Sequence, residues 1–552
     1  MEKRFFLAIV LSVIVVFAYQ HIFEPKPPVR ETVSETASSD TASPSPSPAP
    51  PTPGANIFPA ATSPKVKVTG AEKDVIIDTP LYEAVFTTRG GALLSFKLKN
   101  FKTDLSPNSE LIELVHAIPG NPLPLFLSFI DSTIPVAPDD IYHTDLFSLT
   151  LEATDQPQEL VFSQNYGMLR MEKIFTFDPA SYTIQMDVKV KNLSSSTIQQ
   201  SPTLSWFQYD VPTSARRSTS WFSWFHFGED TYSHKGPIHF AAQSLETSNL
   251  GKMGPIEYYG PNISWAGYES KYFIAAMIPQ KPALTSLTIG KDDTSLVSVQ
   301  MKGPKNLIPT NDTGTFSYTL YLGPKDYTIL KSLDVNLENA IDLSSWLKWL
   351  TIPLLTVLKF IYQYVHNYGI AIIILTILIK VIFWPLGNKS YKSMKSMQKL
   401  QPKMMEIREK YKDDKSRLNQ EVMNLYKNNK VNPLGGCLPI LIQLPVFFGL
   451  YKVLFYAIEL RHSPFFFWIE DLSAKDPYYI TPIIMGATMF LQQKMTPMQI
   501  DPMQQKIMLF LPIVFTLLFL NFSSGLVIYW LFNNIISIGQ QLYVNKYVST
   551  GD

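Results

Sequence analysis

Five apolar segments fill the last third of the chain, at about residues 368 to 386, 434 to 458, 479 to 493, 507 to 521 and 525 to 541. Runs of this length suit a bilayer: at 1.5 Å per residue the first spans roughly 27 Å against a hydrocarbon core of about 30 Å, while 479 to 493 is marginal at roughly 22 Å. A sixth run, FFLAIVLSVIVVFAY at residues 5 to 19, follows Lys3 and Arg4 and leaves through Tyr19, Gln20 and His21 with no small-x-small cleavage site. It reads as an uncleaved transmembrane anchor, residues 1 to 23, rather than a signal that is removed. The expectation is six spans.

Their orientation follows from the basic residues. Loop 387 to 433 holds twelve lysines and arginines against Glu406, Glu409, Asp413, Asp414 and Glu421, which places it in the cytoplasm. Loop 461 to 478 has only Arg461 and Lys475 beside Glu470, Asp471 and Asp476, as expected outside. An even number of spans then leaves both termini cytoplasmic.

At 552 residues the chain exceeds what one hydrophobic core supports. Residues 24 to 65 carry eleven prolines among Ser, Thr and Ala and read as a disordered linker. From 66 to 340 short alternating runs (LRMEKIFTFD, YTIQMDVKVKN, FSYTLYLG) broken by Gly, Pro, Asn and Asp predict a many-stranded antiparallel β domain. Residues 341 to 366 turn helical and amphipathic, with Trp346 and Trp349 suited to headgroup level. The remainder, 367 to 545, is the five-helix membrane module. A single cysteine, Cys437, excludes an internal disulfide framework and reads as a small buried hydrophobe, although LGGC imitates a lipidation box.

Catalytic signatures are missing: no GxGxxG, GxxxxGK[ST], HExxH or GxSxG, and no metal-ligand spacing among the eight histidines. The expectation is therefore no enzyme, no cofactor and no metal. A net charge of +1 and no nucleic-acid motif argue against a nucleic-acid partner. What stands out is polarity inside the membrane. Lys380 lies eleven residues into its span, where a lysine costs about 2.5 to 3.5 kcal/mol. It either snorkels toward the cytoplasmic headgroups or faces a wet cavity, the latter favoured by Thr376 one turn away. Gln443, Gln492, Gln493, Asn533, Asn534, Ser537, Gln540 and Gln541 add polarity to other spans, as interhelical glue or as the lining of a cavity. No acidic residue lies deeper in the five spans than Glu459. Loop 387 to 433 predicts an antiparallel helical hairpin turning at 412 to 414, with Met394, Met397, Met404 and Met405 forming either its own seam or an adaptable apolar surface.

The runs KNNKVNPLGGCLPILIQLPVFFGLY (427 to 451), ELRHSPFFFWIEDLSAKDPYYITPIIMGATMF (459 to 490), DPMQQKIMLFLP (501 to 512) and SSGLVIYW (523 to 530) resemble the bacterial YidC family of membrane protein insertases. The resemblance covers nearly all of the membrane module. It implies an α-helical membrane bundle with a five-helix insertase core and cytoplasmic hairpin, joined to a periplasmic all-β supersandwich of mutarotase-like type. It also implies an inner-membrane insertase and chaperone whose hydrophilic groove carries one positive charge. That charge falls on Lys380, where arginine is usual in relatives of this layout; Thr376, Gln443 and Leu444 fall on positions that line or flank the groove, and Tyr529 and Trp530 near a position that contacts the incoming segment. The implied partners are nascent membrane proteins, membrane lipid, the Sec translocon (SecYEG, SecDF), and the ribosome and signal recognition particle pathway. Competing readings are a transporter or channel conducting through the polar groove, for which no repeated segments are found, and a membrane-anchored sugar-binding receptor.

Overall fold

The computed structural model describes residues 71–118, 120–129, 131–209, 236–251, 253–412, 414–429, 431, 438–495 and 502–547. The anchor at 1 to 23, the linker at 24 to 65 and Cys437 lie outside the described residues.

Alternation of apolar and polar residues builds the first half of the described chain. In Thr183–Asn192 (TIQMDVKVKN), Ile184, Met186, Val188 and Val190 are buried while Gln185, Lys189 and Lys191 face out, the period-two pattern of a strand with one face on a core. That strand lies within an eight-stranded sheet in the order Ser244–Thr247, Gly236–Ala241, Ile263–Glu269, Phe273–Pro279, Thr313–Pro324, Thr183–Asn192, Leu169–Phe177 and Gln158–Asn165. Two five-stranded sheets and a two-stranded ribbon lie beside it among the described residues. Their inner faces share a core that includes Phe86, Phe96, Phe162, Phe175, Trp206 and Trp265, each large side chain stabilising the domain by about 1.5 to 3 kcal/mol on burial. Among the described residues the sheets depart from the expected antiparallel pattern at one place, where Asp74–Asp78 pairs in parallel with Ser148–Thr150.

After the last long strand the chain becomes helical: α1 (Tyr327–Ser332), α2 (Lys348–Val365), α3 (Tyr368–Lys399), α4 (Gln401–Lys410), α5 (Lys415–Asn428), α6 (Leu438–Tyr456), α7 (Ile480–Met495), α8 (Pro502–Phe519) and α9 (Ser524–Tyr547). Among the described residues α3 is long and apolar enough to cross a membrane, and Leu509–Phe519 forms a shorter apolar helix. Helix α2 is two-faced. Thr351, Leu354, Leu355, Leu358 and Ile361 are buried, whereas Trp349, Phe360 and Tyr364 are exposed. It begins at Lys348 rather than 341, because two short 3-10 turns, Leu337–Ala340 and Ser345–Leu347, precede it.

The predicted helical hairpin also differs from expectation. Its first arm is not a separate helix: α3 runs on to Lys399, stops at Leu400, and α4 starts anew with Pro402 in its first turn. Proline has no N–H to continue the ladder and its ring clashes with the carbonyl one turn back, so the break falls there.

One ion cluster ties the β region to the helices. The Asp326 carboxylate accepts from the Thr328 and Ile329 amides to cap α1 and lies 3.0 Å from Lys359 Nζ on α2, which is also 2.8 Å from Glu459 just beyond α6. Burial opposes ionisation of Asp326, yet the bond and charge of Lys359 hold its carboxyl below the usual range. Helices α7 and α8 meet where Gly486 lies against Thr516; a Cβ on Gly486 would stand 1.9 Å from the threonine hydroxyl, so this close approach requires glycine.

Candidate functional site

Helix α9 carries Asn533, Asn534, Ser537, Gln540 and Gln541 at spacings of three and four, which puts them on neighbouring positions of one face. Apolar neighbours would leave their side chains unsatisfied, so each seeks a partner on another helix. Gln541 Nε2 donates to the Met495 carbonyl at the end of α7 at 2.9 Å, and Gln540 Nε2 donates to Asn388 Oδ1 and the Trp384 carbonyl of α3 at 3.0 and 3.1 Å. Asn534 Nδ2 donates to Thr488 Oγ1 of α7 at 3.4 Å. The result is a polar seam joining α3, α7 and α9.

Lys380 enters this seam from α3. Its Nζ donates to Ser537 Oγ at 2.7 Å, and that hydroxyl in turn donates to the Asn533 carbonyl at 2.7 Å. Gln443 Nε2 of α6 donates to Asn533 Oδ1 at 2.6 Å, and the Tyr391 hydroxyl donates to the Ser537 carbonyl at 3.4 Å. Lys380 and Gln443, far apart in sequence, are thus linked through Asn533 and Ser537. Lys380 remains half-buried. An ammonium has three N–H donors, and among the described residues one is engaged, with no carboxylate beside it. The seam can offer a charge-assisted bond to an incoming anion, an interaction contributing about 1.5 to 3 kcal/mol.

The other expected residues are arranged around this centre with different exposures. Thr376 is buried and turns its hydroxyl onto the Ile372 carbonyl of its own helix at 2.7 Å, so it shares the face of Lys380 without bonding it. Tyr529 is buried and its hydroxyl interacts with Gln443. Trp530 is half-buried among Phe447 of α6 and Phe515 and Phe519 of α8, with ring centroids 4.8, 6.2 and 5.2 Å away. Leu444 is exposed. The hairpin methionines divide. Met404 is buried, taking a 3.3 Å bond from the Tyr426 hydroxyl of α5, Met394 and Met397 are half-buried, and Met405 is exposed. Met404 therefore belongs to the hairpin seam and Met405 to its outer surface.

Among the described residues, the end of the helical module around residues 461 to 480 is held by a set of hydrogen bonds. Ser524 and Gly525 donate backbone N–H groups to the Ala474 and Leu472 carbonyls at 2.7 and 2.9 Å. Asp476 accepts from Trp468 Nε1 at 3.0 Å and from the Tyr478 and Thr481 amides at 2.9 and 2.8 Å, fixing the loop at the start of α7. The residue that sequence reasoning placed but did not pair is Ser537; its position in the polar stripe of α9 was the available signal.

Comparison with known proteins gives matches along most of the chain. Residues 74–357 match the family model described as YidC periplasmic domain, and residues 360–550 the model described as 60Kd inner membrane protein. The membrane protein insertase YidC of Syntrophus aciditrophicus is 56% identical over 99% of this chain and 100% of its own length. That of Geotalea daltonii is 40% identical, covering 99% of each. A crystal structure of an active YidC insertase with its first transmembrane domain resolved is 20% identical, covers 88% of this chain and 94% of its own, and superposes with a TM-score of 0.37.

Proposed function

The chain belongs to the YidC family of membrane protein insertases, and on that premise we propose that the seam centred on Lys380 is where it receives its substrate. The observation that carries this reading is the half-buried Lys380 ammonium, held by the neutral Ser537 hydroxyl at 2.7 Å and not by a carboxylate among the described residues. A nascent membrane protein brings the polar tail that must cross. An acidic group in that tail pairs with Lys380 while its apolar helix leaves for lipid along α6 and α8, past Trp530. Burying about 20 apolar residues supplies the driving force, so the cycle needs no nucleotide and no bond made or broken in the substrate. The seam lowers the barrier for the tail, because a carboxylate crossing bare hydrocarbon has no partner at all.

The same reading takes six spans with both termini and the hairpin in the cytoplasm. The β domain is then periplasmic, and α2 lies in the outer interface with Trp346 and Trp349 at headgroup level. The packed outer loop keeps the seam accessible from the cytoplasm and lipid only. Cooperation with the Sec translocon and delivery by the ribosome and signal recognition particle pathway belong to the same reading.

The test is insertion, in cells depleted of their own insertase, of a short substrate with an acidic external tail. Lys380→Glu abolishes insertion, Lys380→Arg retains it, and replacing the tail carboxylates by amides removes the difference. Full activity of Lys380→Glu would sink the electrostatic reading.

A further inference from the structure

The loop between α6 and α7 carries four consecutive aromatic residues, Phe465, Phe466, Phe467 and Trp468, and the fold treats them unequally. Phe465 is tied down. Its amide donates to the Ile469 carbonyl at 2.9 Å, its carbonyl accepts from Asn367 Nδ2 at 3.3 Å, and its ring lies so close to Gly369 that a Cβ there would stand 2.0 Å away. Trp468 is held by the bond from its Nε1 to Asp476 at 3.0 Å, and the Ile469 amide closes the turn on the Phe466 carbonyl at 3.3 Å. Between these fixed points Phe467 is 93% exposed and adopts a φ of +59°. Left-handed backbone is uncommon outside glycine and an outlier for a side chain this bulky, so it persists only where the surroundings impose it. Here the imposed conformation holds an apolar ring out from the protein, with the exposed Phe466 beside it.

What the base of this tip touches fixes its depth. Asn367 is the N-cap of α3, its Oδ1 accepting from the Ile370 amide at 3.0 Å. The side chain that starts this helix, which is long and apolar enough to cross a membrane, therefore also holds the carbonyl two residues before Phe467. The tip stands at that end of α3. Phe360 and Tyr364, on the last turns of α2 before the same cap, are exposed as well. Aromatic rings at the end of a span collect where acyl chains meet headgroups. Residues 463 to 469 carry no charge, so the tip is drawn to hydrocarbon and not to phosphate.

We propose that Phe467, with Phe466, is a wedge inserted into the outer leaflet of the bilayer at the boundary between acyl chains and headgroups, where it holds the α6–α7 loop at a fixed depth. The inference rests on the outer placement of this loop in the reading above, but not on the role of Lys380.

The full chain carrying Cys437→Ser and Phe467→Cys is spin-labelled at its one remaining thiol and reconstituted alone in phosphatidylcholine vesicles. Collisions of the label with oxygen, which concentrates in lipid, are compared with collisions with a water-soluble nickel complex. Oxygen dominates at position 467, and the oxygen-to-nickel ratio is several-fold above that of Leu284→Cys, an exposed site on the β domain. Dominance of nickel at 467 would overturn the proposal and assign the ring to water or to a protein partner that the vesicles lack. A label shielded from both reagents would overturn it too, because protein then covers the tip. Phe467→Trp, which keeps Cys437, measures the same depth without a label: its added emission is quenched by phospholipids with brominated acyl chains, and quenching by aqueous acrylamide instead counts against the wedge. Each variant keeps the wild-type unfolding transition in detergent. Lys380→Glu, assayed for insertion in the same vesicles, reports on the electrostatic reading separately.

Discussion

Two lysines are sunk into this chain without a carboxylate beside them among the described residues, one in the β domain and one in the membrane module, and they are treated in opposite ways. Lys173 is fully buried, and all three of its N–H donors are spent on backbone carbonyls: Gly90 at 2.6 Å, Leu125 at 3.0 Å and Gly91 at 3.3 Å. Two of the carbonyls are fixed by a tight turn in which Gly90 and Gly91 both have positive φ, and a Cβ on Gly90 would stand 2.5 Å from the Phe126 ring. Lys380 is half-buried and spends one donor on a serine hydroxyl. A cation whose donors are all met by rigid backbone is a staple. One whose donors are partly unspent among the described residues has the capacity that the proposed receptor role requires. On that reading the same residue type contributes stability in one region and function in the other, and the division is set by how many partners the fold supplies.

The comparison breaks most readily at Lys173. Replacing it by methionine keeps the bulk but strands three buried carbonyls, a loss of about 1 to 3 kcal/mol for an unsatisfied group, partly offset by removing a buried charge. Lys173→Met is expected to destabilise the β domain by about 3 kcal/mol, read from denaturant unfolding of the β signal in the detergent-solubilised full chain. Lys380→Met should move the other observable. Stability changes by no more than about 0.5 kcal/mol, while insertion of an acidic-tailed substrate falls about tenfold, equivalent to 1.4 kcal/mol of lost attraction. Equal destabilisation by both variants would make Lys380 a second staple.

A smaller effect follows from titration. Burial pushes the Lys173 ammonium down to about 7, against about 10.4 for an exposed lysine in the unfolded chain. Below pH 7 both states are protonated and stability is flat. Between 7 and the unfolded value the unfolded chain binds the proton that the folded one has released, so stability rises with pH. Wild type should gain about 2 to 3 kcal/mol over Lys173→Met between pH 6 and pH 9. A constant difference would mean that the three carbonyls keep the proton in place.

How much of this was legible before the fold was known differs between the two lysines, for a physical reason. Lys380 was visible because an ammonium in an apolar run of membrane-spanning length violates the composition around it. Lys173 sits in Leu169–Phe177 (LRMEKIFTF), whose inward positions run Leu169, Met171, Lys173, Phe175, Phe177; strict alternation already placed it on the core face, but a lysine in a strand is ordinary enough to pass. The helices and strands followed from periodicity. What did not follow were pairings made by tertiary register: Ser537 meets Lys380 across 157 residues, and Asp326, Lys359 and Glu459 converge from three separate segments. Local pattern carries no information about which distant polar group completes a bond. The break at Leu400 was within reach, since Pro402 announces it.

Ser537→Ala gives the smallest expected effect and separates a receptor from a coupled unit. The Ser537 hydroxyl accepts from Lys380 and donates back to the Asn533 carbonyl. Removing it deletes a hydrogen bond to a charged group and should lower stability by about 1 kcal/mol. Its effect on insertion depends on what the bond does. If Ser537 merely occupies the ammonium between substrates, an arriving carboxylate no longer has a bond to displace, and insertion of acidic-tailed substrates stays within about twofold of wild type, an energy difference of about 0.4 kcal/mol. If the hydroxyl aims the ammonium, insertion falls as far as in Lys380→Met, Ser537→Thr restores it, and the double variant is no worse than either single one. The first outcome is expected, because the flexible four-carbon stem of a lysine needs little guidance to meet an anion, and the seam offers Asn533 and Gln443 within the same network should it swing.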